Sequence, residues 1–314
     1  MFHLASSIII KYVIVYLTFS IPAAWCLGNG KCFTSVQNLR SVIPGLIYRS
    51  ATLDNLSVSD ARSLLSLDET SVTRLATVID LRNNDEIERG KKRRTDGAKL
   101  FYSNVAIDPL YGGDDIRCRL FQIPILNDVD GFWNEAIDRM DKFERFKSTI
   151  QTTFQGGALD MAAARNLEKG GLPLLYTIML TTGKDPIRCA METCLKEVER
   201  GPIIFHCQKG KDRTGILALL IQSCLGVHDA NILEAYALSD ELLGGDNGGK
   251  DYSSGEGGGI DWSYFRGSPP SAMADTMKWV RKRYGSFDSY LDSILFRSEQ
   301  RASLRRILLD RSSL

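Results

Sequence analysis

Five residues separate Cys207 from Arg213 in the run His206-Cys207-Gln208-Lys209-Gly210-Lys211-Asp212-Arg213-Thr214-Gly215. Pro202-Ile203-Ile204-Phe205 stands before it, and the apolar run Ile216 to Leu225 follows. That order predicts a buried strand, a tight loop and a buried helix. Such a loop can wrap its backbone N–H groups around a phosphate, with a thiolate beneath and a guanidinium alongside. The chemistry requires an ionised sulfur. A free cysteine with a pKa of ~8.5 is only about 3% thiolate at pH 7. A helix N-terminus, loop amides and a neighbouring arginine bring such a group down to between ~3.5 and ~7.5.

Each position in the run has a physical part to play. Gly210 lets the loop curve, because glycine tolerates positive φ. Gln208, Lys209, Gly210, Lys211 and Asp212 form the phosphate-binding turn together with Arg213, whose planar fork grips two oxygens where lysine could not. Thr214 is placed to donate its hydroxyl to the Cys207 sulfur as it leaves. His206 is placed to bond backbone around the loop. The reaction class is covalent catalysis through a cysteinyl-phosphate, followed by attack of water. A general acid must then protonate the leaving oxygen. Asp212, inside the loop, is the first candidate. Asp128 is the second, in Asn127-Asp128-Val129-Asp130 after Gln122-Ile123-Pro124-Ile125. An ATP-binding phosphate loop is excluded: it needs Ser or Thr after Lys211 and Gly five residues earlier, where Asp212 and Phe205 stand.

The elements that must position these groups alternate between strand and helix, which reads as α/β. Strands are expected at Ile47-Tyr48-Arg49, Ala76 to Leu81, Leu100 to Val105, Phe121 to Ile125 and before Cys207. Helices are expected over Ser57 to Leu67, Leu172 to Leu180, Asp185 to Glu199, the stretch after the loop, and onward to Leu238 from a cap at Asp229. Further helices are expected over Ser271 to Tyr284, Ser286 to Phe296 and Ala302 to Leu309. Gly131 to Phe154 reads as one long amphipathic helix, with Trp133, Ile137, Met140, Phe143 and Ile150 facing a core. Residues 244–259 are glycine-rich and read as an exposed loop.

With 314 residues, 44% of them hydrophobic, the chain is long enough for one large domain, expected over 33–314, behind a leader. The net charge of +1, from 39 basic and 38 acidic residues, offers no field for nucleic acid. The dense basic run Lys91-Lys92-Arg93-Arg94 is a solvated helix end or a contact for acidic lipid headgroups. Seven cysteines without regular spacing do not read as a disulfide framework. Three histidines and no paired Cys-x-x-Cys argue against zinc, and no metal or organic cofactor is expected. Tyr12 to Leu27 is short for a spanning helix and suits a signal peptide or an anchor over residues 1–28. That leader would place the protein in the secretory pathway or at a membrane; without it a cytoplasmic enzyme is expected.

The decapeptide resembles the loop of the atypical tyrosine/phosphoinositide phosphatases, His-Cys-x-x-Gly-Lys-Asp-Arg-Thr-Gly. Other stretches resemble the same family: Gln37-Asn38-Leu39-Arg40, Gly45-Leu46-Ile47-Tyr48-Arg49-Ser50-Ala51, Val78-Ile79-Asp80-Leu81-Arg82 with Glu86 and Glu88, Tyr236-Ala237-Leu238-Ser239-Asp240 and Tyr284-Gly285-Ser286. Arg40 to Pro44 lacks the Asp-Leu-Gly usual at that point. The resemblance implies a cysteine-phosphatase fold: a central, mostly parallel sheet flanked by helices, with a helical insertion. It implies a phosphotyrosine phosphatase, often active on phosphoinositides, with Cys207 as nucleophile, Arg213 as clamp, and Lys211 and Asp212 as the family's loop pair. Asp212 also matches an in-loop acid of myotubularin-like lipid phosphatases. The expected partners are a phosphotyrosine protein or a phosphoinositide, and Lys209 beside Lys211 suits the latter. A phosphate-binding module without turnover is the reading from a different class.

Overall fold

The computed structural model describes residues 25–27, 31–65, 75–107, 118–244 and 265–311. The expected leader lies outside the described residues apart from Trp25–Leu27, as does the glycine-rich stretch after Gly244.

Trp25–Leu27 (β1) and Lys31–Phe33 (β2) pair as a small antiparallel ribbon. The main sheet has six strands: Arg40–Ile43 (β3), Ile47–Ser50 (β4), Thr77–Asp80 (β5), Ala106–Ile107 (β6), Arg119–Gln122 (β7) and Ile203–His206 (β8). Their order is β3-β4-β8-β5-β7-β6, antiparallel between β3 and β4 and parallel elsewhere. This is the α/β, mostly parallel architecture expected from the sequence. β8 is buried along its whole length between β4 and β5. A strand covered on both faces needs apolar residues in succession, and Ile203-Ile204-Phe205 supplies them.

Alternate residues serve opposite layers. Ile79, Ile203 and Phe205 join the larger core, while Val78 and Ile204 join the smaller one with Leu53 and Phe101. Val58–Leu64 (α1), Asn84–Lys91 (α2) and Asp96–Ser103 (α3) follow β4 and β5. After β7 come Val129–Asp138 (α4), Lys142–Gln155 (α5), Ala158–Thr182 (α6) and Lys184–Glu197 (α7), then β8 and Asp212–Cys224 (α8). Asp229–Leu242 (α9), Pro270–Tyr284 (α10), Phe287–Ser293 (α11) and Ser298–Arg311 (α12) close the chain. No helix among the described residues is long and apolar enough to cross a membrane.

Several expectations need correction. Leu100 to Val105 is not a strand but lies mainly in α3. Thr95 caps that helix by accepting from the Ala98 amide at 3.2 Å, and Ala98, Phe101 and Tyr102 recur at helical spacing on its buried face. Gly131 to Phe154 is two helices. Asp141 restarts the second, accepting from the amides of Phe143 (2.9 Å) and Glu144 (3.2 Å). The restart changes the phase, so Phe143 and Ile150 face solvent, 70% and 46% exposed. Leu172 to Leu180 belongs to the longer α6, kinked at Gly171, whose φ of 54° only glycine adopts readily ahead of Pro173. His228, not Asp229, caps α9.

The carboxyl ends of the parallel strands share one edge. Ser50 and Asp80 both stand opposite His206, and Gln122 stands opposite Asp80. In open α/β sheets this edge is where ligands bind. A buried ion cluster braces it. Arg82 is fully buried and donates to Asp80 Oδ1 at 3.0 Å and Oδ2 at 2.7 Å, to Thr52 Oγ1 at 2.9 Å, and to Asp54. Arg94 reaches the other Asp54 oxygen at 3.0 Å and stacks on Tyr102. Burial raises both carboxyls, yet Arg82, with Arg94 and Thr52 at Asp54 and His206 at Asp80, holds them below the ordinary carboxylate range.

These depressed values give the sign of the pH dependence. The carboxylates contribute stability that is present above about pH 4 and lost as pH falls through their lower folded values. Arg82→Leu should cost about 3–5 kcal/mol in urea unfolding at pH 7, because two buried carboxylates lose their partner. The gap to wild type should narrow as pH is lowered and those carboxylates protonate.

Candidate active site

Cys207 follows β8 directly, and α8 begins five residues later at Asp212, so the helix N-terminus faces the loop between them. The loop's shape is set from outside. The Gln208 carbonyl accepts from the Thr52 amide at 3.1 Å. Asn38 Nδ2 donates to the carbonyls of Lys209 (2.8 Å) and Gly210 (3.0 Å). Arg49 Nη2 donates to those of Gly210 (2.8 Å) and Lys211 (3.2 Å). In a planar trans peptide the C=O and the following N–H point to opposite sides. With four successive carbonyls held outward, the amides of residues 209 to 212 turn toward the interior of the loop. Gly210 completes the turn at φ 67°, and a Cβ there would run into the Ser50 carbonyl.

Glu86 meets Arg213 end-on, with Nη1 to Oε2 at 2.5 Å and Nη2 to Oε1 at 2.6 Å. That contact leaves the Nε–H side of the guanidinium for two oxygens of a phosphate. Glu86 is itself fixed by a capping box at the start of α2, where it accepts from the Asn83 amide at 3.0 Å and the Asn83 side chain accepts from the Glu86 amide at 2.9 Å. Burial would weaken the Arg213 charge, but the Glu86 bonds and the negative charge of Cys207 raise its pKa above the ordinary arginine value. Burial likewise raises Glu86, and Arg213 more than reverses it.

Two more guanidiniums lie under the loop, opposite each other on β3 and β4. Arg49 is buried, and desolvation lowers its pKa to about 10 against the opposing pull of Cys207. Arg40 is also lowered, by burial and by Arg49. Arg40 donates to the Ala235 carbonyl at 2.9 Å and Ser239 Oγ at 2.8 Å, and its other arm braces Asn38.

Asp212 is partly exposed at the start of α8. The Tyr176 hydroxyl donates to its Oδ1 at 2.6 Å, and the Tyr236 hydroxyl lies 2.6 Å from that of Tyr176. Burial and the Asp212 charge push both phenols up, so both keep their protons at neutral pH. Lys211 is turned away from the loop interior: its Nζ donates to the carbonyls of Phe265 (2.8 Å) and Gly267 (2.6 Å) and lies 3.5 Å from Asp212. Gln208 is exposed and Lys209 half-buried. His206 Nδ1 lies 3.3 Å from the Cys207 carbonyl, and burial keeps the ring below its ordinary pKa and therefore neutral at pH 7. The Thr214 hydroxyl is buried and has no hydrogen-bond partner among the described residues, the Cys207 sulfur included. Asp128 is exposed, with its carboxylate capping α4 through the Gly131 amide at 2.8 Å. Among the described residues no cluster of His, Cys, Asp or Glu is placed to hold a metal ion.

Sequence reasoning assigned no role to Asn38, Arg49, Thr52, Tyr176 or Tyr236. The available signal was a pair of arginines, Arg40 and Arg49, in the strands near the N-terminus, which a covered sheet tolerates only where they have partners.

A mostly parallel sheet thus carries the Cys-x5-Arg loop at its carboxyl edge. The chain belongs to the tyrosine phosphatase family, whose model matches residues 31–310. A tyrosine-protein phosphatase of Nostoc commune is 42% identical over 105 residues, which is 30% of this chain. The chain spans about a third, 34%, of that relative's length.

Gly210→Ala and Asn38→Leu separate the two devices that shape the loop. Each should weaken inorganic phosphate binding at least about tenfold, one by strain at positive φ and one by freeing two carbonyls. Isothermal titration of the folded variants reads the loss directly.

Proposed function

We propose that the protein is a phosphotyrosine-directed phosphomonoesterase of the atypical branch whose loop reads His-Cys-x-x-Gly-Lys-Asp-Arg-Thr-Gly. The observation that carries this reading is the loop with its carbonyls tied outward around Cys207. In the first step Cys207 Sγ attacks phosphorus, an S–P bond forms and the ester P–O bond breaks. Arg213 and the inward amides hold the three non-bridging oxygens as their charge redistributes. Asp212 gives its proton to the leaving oxygen. Water then attacks the cysteinyl-phosphate, Asp212 takes a proton from it, and the sulfur departs as a thiolate. The position of Asp212 within the loop, fixed by Tyr176, favours it over Asp128, whose carboxylate is used to start α4.

A phosphoinositide is the second reading. Its support is Lys209 and the exposed Lys91-Lys92-Arg93 at the far end of α2, the helix whose first turn carries Glu86. It is weakened by the engagement of the Lys211 ammonium with two backbone carbonyls.

Phosphate release from phosphotyrosine peptides, assayed beside a phosphoinositide panel, decides between the two substrates. Cys207→Ser should bind substrate and release nothing. Asp212→Asn should lose far more rate on aryl esters with poor leaving groups than on those with good ones. Equal losses would remove it from the acid role. A wild-type protein inert on both panels would leave only a binding module.

A further inference from the structure

α5 is amphipathic the wrong way round. Among its described side chains the least exposed are small and polar: Ser148 is 5% exposed, and Thr152 is partly buried one turn on. Phe143, Phe146 and Ile150, spaced three and four apart, form one stripe on the opposite face, 70%, 65% and 46% exposed. A solvated helix has no reason to present two phenylalanines and an isoleucine in line to water. At 3.6 residues per turn Lys142 borders the stripe on one side and Lys147 on the other, and both are exposed. Arg145 lies off the stripe and is paired with Asp138 at 2.5 Å.

We infer that this face of α5 docks the protein on an anionic lipid surface, with Phe143, Phe146 and Ile150 entering the headgroup boundary and Lys142 and Lys147 reaching lipid phosphates on either side. Apolar residues in a stripe with basic residues at its borders match such a surface in both hydrophobicity and charge. A second copy of the chain fits less well, because a two-fold contact would bring the same lysines against each other. The topology gives the contact a use. α5 belongs to the insertion that leaves the sheet at the carboxyl end of β7, the same edge that carries the loop after β8. The inference concerns attachment and holds whichever ester the loop prefers.

The test is co-sedimentation of the full chain with vesicles of phosphatidylcholine, with and without phosphatidylserine. Wild type should sediment with the phosphatidylserine vesicles, less so at high salt. Phe143→Ser with Phe146→Ser should lower partitioning at least about tenfold, and Lys142→Gln with Lys147→Gln should remove most of the preference for anionic vesicles. Both side-chain pairs are exposed, so melting temperature and hydrolysis of a soluble aryl phosphate should stay at wild-type values. Failure of wild type to sediment, or equal sedimentation of the phenylalanine variant, overturns the inference. So does a solution dimer that the phenylalanine variant dissociates, which would assign the face to a second copy.

Discussion

The outward restraint of four consecutive carbonyls is the constraint on which the site depends. A loop of five residues between strand and helix has no intrinsic reason to turn its amides inward; left alone, its peptides would rotate to meet water. Thr52, Asn38 and Arg49 remove that freedom by giving the carbonyls better partners on the outside. All three come from the β3–β4 side of the sheet, next to β8. The order β3-β4-β8 is therefore part of the site: it delivers the donors to the back of the loop. The restraint also explains why the N-terminal strands carry charge. Burying Arg40 and Arg49 costs free energy, opposed by the carbonyl bonds both make and, at Arg49, by Cys207.

The opposite flank solves the same problem with ion pairs. Arg82 ties the end of β5 to Asp54 in the segment after β4, so two strand ends that flank β8 are clamped across the loop. One turn further on, Glu86 of α2 holds Arg213. A short path, Asp80-Arg82-Asn83-Glu86, thus links the sheet edge to the Arg213 guanidinium. Movement in α2 would be transmitted straight to the guanidinium, because Glu86 serves both the helix cap and Arg213.

The candidate site was legible in the sequence because it is local. Cys207 through Arg213 span one loop and the first turn of the helix after it, between two apolar runs, and spacing alone places them. The parallel sheet was legible for a similar reason: strands buried on both faces leave unbroken apolar runs. What stayed hidden depends on long-range pairing. Asn38 meets Lys209 across 171 residues and Arg49 meets Gly210 across 161, and nothing in either neighbourhood announces the other. Tyr176 was hidden differently, since in an apolar helix its ring reads as core and its hydroxyl is invisible to periodicity. The break at Asp141 was missed because the apolar residues on both sides of it fit one helical repeat, and only the cap reveals the change of phase.

Tyr176 and Tyr236 bear on how an in-loop aspartate can work at all. In the proposed mechanism Asp212 loses its proton to the leaving group and regains one from water, which requires it to be stable in both states without moving. A lysine alone would hold it ionised, and Lys211 Nζ does lie 3.5 Å from Asp212, but two of its three N–H donors go to the carbonyls of Phe265 and Gly267. A phenol is a gentler partner. It donates to the carboxylate, and because its hydroxyl can rotate it can accept from the protonated acid, handing its own proton toward Tyr236. The chain Asp212-Tyr176-Tyr236 is therefore a hydrogen-bond wire that fits either protonation state, anchored on two helices, α6 and α9, that do not otherwise belong to the loop.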